Sequence, residues 1–140
     1  MKSLSLASLK RAIAALKSVC LVELSSRKTE FDRLLLRDST IQRFEFTQEL
    51  CFRIIKKTLE HQFTVKDVET IPYRDLIRMA HERGLISKPK PWFLARDARN
   101  KTSHAYDEKI ANDVYKAARS FLPVAENLLE HLEPLYAAIK

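Results

Sequence analysis

Between Arg99 and Tyr106 the chain reads Arg-Asn-Lys-Thr-Ser-His-Ala-Tyr. This run gathers the residue types best suited to phosphodiester chemistry. Histidine titrates near neutral pH, so His104 can take a proton from a ribose 2′-hydroxyl or give one to a leaving oxygen. Arg99 carries a fixed charge and forked donors that match a phosphate and its transition state. Such a pair needs no metal, and its reliance on the 2′-hydroxyl restricts the substrate to RNA.

Spacing leaves the geometry open. Five residues along an ideal helix is about 140° of rotation, so Arg99 and His104 would not share a face. The helix can end between them and let His104 turn back. Alternatively, two copies of the chain can bring their motifs together across a two-fold axis. A plainer reading fits the same residues. A histidine near a helix end suits the last carbonyls, and Arg96 and Arg99, three apart, suit a solvated or salt-bridged face.

The rest of the sequence excludes most other chemistries. The chain has 140 residues and a single glycine, Gly84, which cannot build a glycine-rich phosphate loop. There is no GxSxG elbow. His61, His81, His104 and His131 are scattered, with no i, i+4 pair for a metal. Neither a metal nor a cofactor is expected. Cys20 and Cys51 form no CxxC pair and are expected to be reduced core residues. No apolar run approaches the ~20 residues that span a bilayer. Lys10 and Arg11 interrupt the N-terminal apolar stretch, so no signal peptide is expected and the cytoplasm is the expected location. The formal net charge of +7 favours acidic partners such as nucleic acid.

The elements that must position the motif are helical, since tight turns use glycine and this chain has almost none. Residues 1–140 are expected to form one all-α domain, an up-and-down bundle of four to five helices. Leu6, Leu9, Ile13, Leu16, Cys20 and Leu24 mark the buried face of a first helix from Ser3 to Leu24. Ser25 to Arg37 reads either as loop or as helix extension. A second helix is expected to start at Asp38 or Ser39, which suit an N-cap, and to reach His61. Its stripe of Phe44, Cys51, Ile55 and Leu59 is widened by Phe46, Leu50 and Ile54, which implies contact on two sides.

Pro72 and Gly84 bracket a third helix, with Ile71, Leu76, Met79 and Ala80 facing inward and Gly84 as its C′ residue. Lys88-Pro89-Lys90-Pro91 is a linker, and Pro91 opens a fourth helix through Trp92 toward Ser103. A last helix begins near Asp107-Glu108, where acidic side chains suit the positive helix end. Pro123 and Pro134 lie within it and predict a kink or break.

Two segments resemble a known family. Arg99 to His104 fits the R-polar-x3-H signature of HEPN domains, and Ala105-Tyr106 extends it to the RX4HXY form of HepT-like toxins. The segment from Arg37 to Leu50 resembles the second-helix signature of proteins described as nucleotidyltransferase substrate-binding. The likeness runs from about residue 4 to 135. It departs at Phe52, where members often carry tryptophan, and at Ile71, where a small polar residue is usual. The resemblance implies a homodimer with facing motifs and a metal-independent ribonuclease toxin of a type VII-like HEPN/minimal-nucleotidyltransferase pair. Arg99 and His104 would be catalytic, with Asn100 supporting. The partners implied are RNA and a cognate minimal nucleotidyltransferase antitoxin that transfers AMP onto Tyr106. Bulk and negative charge there would stand where an RNA phosphate docks. The resemblance also admits an alternative, a non-catalytic nucleotide- or substrate-binding subunit of such a nucleotidyltransferase.

Overall fold

A computed structural model describes residues 5–137. The described chain is all-α, with helices α1 (Ala7–Cys20), α2 (Glu30–Gln62), α3 (Tyr73–Glu82), α4 (Lys90–Asn100) and α5 (Glu108–Ala137). The long helices α2 and α5 pack on each other. Helix α1 packs against both, and α4 lies on α5 and α2.

The first helix buries Leu9, Ile13, Leu16, Val19 and Cys20, close to the expected stripe. It ends at Cys20 rather than Leu24, and Leu24 enters a short 3-10 turn. Ser3, the expected first residue, lies outside the described residues. Both cysteines are free and buried. Burial pushes both thiols up, in Cys20 against the opposing pull of Arg119.

Helix α2 corrects the expected start. It begins eight or nine residues before Asp38 and Ser39, with Thr29 as its N-cap accepting a hydrogen bond from Asp32 N at 3.1 Å. Glu30 and Asp32 then favour the positive end of the helix. The charged stretch stays helical because Arg37 is tied down. Its guanidinium contacts Glu108 Oε1 at 2.6 Å, Asn112 Oδ1 at 3.3 Å and Asp38 Oδ1 at 3.2 Å. These contacts fasten the early turns of α2 to the first turns of α5. Ser39 is therefore an interior helical residue.

Helix α3 ends as expected. Gly84 has φ +77°, a left-handed conformation that other side chains rarely adopt, and Leu85 N reaches back to Ala80 O at 2.8 Å. Leu85 and Ile86 follow it into the core. Leu76 and Ala80 face inward as expected and are joined by Ile77, whereas Ile71 and Met79 are only partly buried.

Helix α4 starts at Lys90, with Pro91 in its first turn. Helix α5 runs through Pro123 and Pro134 without the break that the prolines suggested. Both are exposed, while Phe121, Ala125, Leu128 and Leu132 are buried on the opposite side. Core packing holds the helix while the missing backbone donors fall on its outer face.

Phe121 joins three helices. Its ring meets Phe44 of α2 at 5.5 Å and Trp92 of α4 at 5.3 Å, both edge to face. All three rings are 2% exposed or less. Phe121→Ala is expected to cost about 3–5 kcal/mol in urea-induced unfolding. A loss below about 1 kcal/mol would show that these rings do not organise the core.

Candidate functional site

Helix α4 buries Trp92, Ala95 and Ala98. That choice of face turns Arg96 and Arg99 sideways toward α2. The helix then stops between Arg99 and His104. Lys101 N bonds back to Ala98 O at 3.0 Å, tightening the chain into a 3-10 turn over Thr102–His104. His104 N reaches Lys101 O at 2.9 Å, and Asp107 N reaches His104 O at 3.0 Å. Asp107 Oδ1 accepts from Ile110 N at 3.1 Å and starts α5. Of the two geometries open from spacing, a helix end between the two residues is present within the single chain.

This corner presents its polar side chains to solvent. Asn100, Ser103 and His104 are exposed, and Tyr106 is 86% exposed. The rings of His104 and Tyr106 lie 6.1 Å apart at 64°. No hydrogen bond or ion pair joins Arg99 to His104 among the described residues.

Arg99 is held instead by α2. Its Nη2 lies 3.4 Å from Glu49 Oε2, while its Nε is buried without a partner. One turn earlier on α2, Glu45 Oε2 accepts from the Thr102 hydroxyl at 2.9 Å, and that hydroxyl also lies 2.8 Å from Arg99 O. Glu45 and Glu49, four apart on one helix face, thus bracket the start of the turn. Both carboxylates stand inside the second segment singled out by sequence, yet nothing in a linear reading assigns them to Arg99 and Thr102.

Beside Arg99 lies a groove of about 280 Å³ between α2 and α4, lined by Gln48, Glu49, Phe52, Arg53, Lys56, Arg96 and Arg99. Tyr73, outside the lining, contacts three of these side chains. The Tyr73 hydroxyl donates to Trp92 O at 3.1 Å and accepts from Gln48 Nε2 at 3.3 Å. Its ring packs on Phe52 at 4.9 Å and beneath Arg96 at 4.7 Å. A larger hollow of about 740 Å³ opens between α4 and α5, walled by Leu94, Val114, Ala117, Phe121 and Val124, and only Lys101 of the motif reaches it. Among the described residues no group of three or more His, Cys, Asp or Glu side chains is placed to hold a metal. No described helix is long and apolar enough to cross a membrane.

Comparison with known proteins agrees with this architecture. Residues 4–134 match the family described as nucleotidyltransferase substrate binding protein like, and the chain belongs to that family. It is 38% identical over 93 residues to a probable ribonuclease HepT of Haemophilus influenzae, a match covering 66% of this chain and 64% of that protein. A solved Haemophilus influenzae structure, described as the fold of a substrate binding domain of a nucleotidyltransferase, superposes with a TM-score of 0.83 at 32% identity. That match covers 91% of this chain and 98% of the other. A Thermus thermophilus structure superposes with a TM-score of 0.71 at 26% identity, over 89% and 98% of the two chains.

Burial of Tyr73 pushes its phenol up to about 12, opposed by the Gln48 hydrogen bond and the nearby Arg96 charge. The unfolded chain releases this proton near pH 10, the folded chain only near pH 12. Between those values the unfolded state binds fewer protons, so stability falls as pH rises. Below pH 10 the phenol is neutral in both states and contributes no slope. Tyr73→Phe is expected to flatten the decline in urea midpoint over this alkaline window. A decline of undiminished slope would contradict the buried, hydrogen-bonded phenol.

Proposed function

We propose that this chain is a HEPN-type ribonuclease toxin that cleaves RNA at the Arg99–His104 corner without a metal. The observation that carries the reading is the corner itself. A helix end brings Arg99 to the groove wall and then sets His104 in solvent, five residues later, beside the exposed Tyr106. The relative named as a probable ribonuclease supports it.

The 2′-oxygen of the substrate attacks phosphorus as His104 removes its proton. The phosphorus–5′-oxygen bond breaks, leaving a 2′,3′-cyclic phosphate and a 5′-oxygen that takes up a proton to become a hydroxyl. Arg99 offsets the charge that accumulates on the non-bridging oxygens. Its ion pair with Glu49, which is 55% exposed, is worth at most about 1 kcal/mol, so an incoming phosphate can displace that carboxylate. Asn100, exposed at the end of α4, supports the phosphate. A homodimer with facing motifs supplies a second histidine for the leaving oxygen.

The expected partner is a minimal nucleotidyltransferase that acts as antitoxin in the cytoplasm by transferring AMP to Tyr106. The Tyr106 hydroxyl is accessible to such an enzyme. The added phosphate would place negative charge beside His104 and repel RNA. A second reading is favoured by the family's description and by the solved Haemophilus influenzae fold. In it, the same corner binds a nucleotide or phosphate and presents it to a nucleotidyltransferase without turnover.

Cleavage of RNA by purified protein in excess EDTA, with Tyr106 shown unmodified by mass spectrometry, separates the two. Wild type is expected to cleave, and His104→Ala to lose about 10²-fold or more in rate while keeping its helical circular dichroism. Cleavage that persists in His104→Ala would reject the assignment. Absence of cleavage by wild type would favour the substrate-binding reading.

A further inference from the structure

We infer that the groove beside Arg99 is a phosphate-tracking subsite that holds the single-stranded RNA backbone next to the scissile bond. This rests on the ribonuclease reading and extends it to residues outside the motif. Arg53 and Lys56 project from α2, and Arg96 and Arg99 from α4, into one hollow. Four cations crowded there repel one another, and their carboxylate neighbours are few. Glu49 faces Arg99 at 3.4 Å, and Glu69 faces Lys56 at 3.1 Å. Among the described residues neither Arg53 nor Arg96 has a carboxylate within ion-pair distance. An arrangement that gathers like charges with so little compensation is relieved by a bound polyanion.

Two of the cations, Arg96 and Lys56, are also pre-organised. Arg96 lies over Tyr73 at 4.7 Å and Phe52 at 5.8 Å, and Lys56 lies over Phe52 at 4.8 Å. Stacking on aromatic faces fixes a guanidinium in place while leaving its edge donors available. At about 280 Å³ the hollow is at the lower limit for a small-molecule pocket. It therefore suits one phosphate with part of its sugar better than a whole mononucleotide. On α3, Arg74 and Arg78 lie over Phe93 of α4 at 4.5 and 5.5 Å, and Arg78 also pairs with Asp75 at 3.3 Å.

The test uses the full chain, unmodified at Tyr106, and a fluorescent 2′-O-methyl single-stranded RNA that cannot be cleaved. Anisotropy is measured across a salt series for wild type and for Arg53→Gln/Lys56→Gln. Each lost phosphate contact on a single strand lowers the slope of log K against log salt by about 0.7. The double variant is expected to bind at least several-fold more weakly, with a slope smaller by about 1.4 for its two contacts. It should cleave long RNA more slowly and a dinucleotide, which carries only the scissile phosphate, at the wild-type rate. An unchanged affinity and slope, in a protein that still cleaves, would overturn the subsite and leave the ribonuclease reading standing. Wild type that neither binds nor cleaves RNA would overturn both. Stoichiometric competition by free AMP would mark a mononucleotide pocket and also overturn the subsite.

Discussion

The edge-to-face contacts of Phe121 with Phe44 and Trp92 are the constraint on which the rest of this molecule depends. They pin α4 against the packed pair of long helices. Once Trp92 is fixed, Ala95 and Ala98 must follow it inward, and Arg96 and Arg99 are carried to the α2 side. The helix cannot continue past Asn100 and still let α5 return along the core. The chain therefore turns through a 3-10 segment, and that turn puts His104 and Tyr106 into solvent. The chemistry-bearing residues are placed by packing some distance from any of them.

A second constraint works where α5 begins, just after the corner. Arg37, with a side chain only 11% exposed, binds Glu108 and Asn112 and holds the start of α5 against α2. Glu45 and Glu49 then meet Thr102 and Arg99 from the same long helix. Helix α2 thus contacts the elements on both sides of the motif. This explains why its polar residues matter as much as its apolar stripe. Thr47 and Gln48 are buried and hydrogen-bonded, which avoids the cost of an unsatisfied polar group.

Much of this was legible in the sequence, and the failures have physical causes. Apolar spacing located α1 because it buries one continuous stripe, and Pro72 and Gly84 bracketed α3, whose end is the left-handed backbone of Gly84. The turn after α4 was legible as a polar run between two apolar patterns. The start of α2 was not, because Arg37 is a charged residue that anchors the helix as a core residue would, and a periodicity of apolar types does not register it. Thr29 is an ordinary N-cap, but Asp38 and Ser39 looked as good and lay nearer the apolar stripe. Pro123 and Pro134 suggested a kink or break near one of them, and α5 is unbroken through both because their buried neighbours hold it to the core. Of the candidate site, Arg99 and His104 stood out by type and spacing, Asn100 and Tyr106 through the family resemblance. The groove beside them did not, because Arg53 and Lys56 lie some forty residues before Arg96 and meet it only after folding.

The central claim is that this corner cleaves RNA through the ribose 2′-hydroxyl. It is tested most directly by the chemistry of the product ends, read by mass spectrometry after cleavage of a defined RNA. The account predicts a 2′,3′-cyclic phosphate on one fragment and a 5′-hydroxyl on the other. It also predicts no cleavage when a single 2′-deoxy residue replaces the nucleotide at the cut. Ends carrying a 3′-hydroxyl and a 5′-phosphate, or cleavage at the deoxy position, would contradict it.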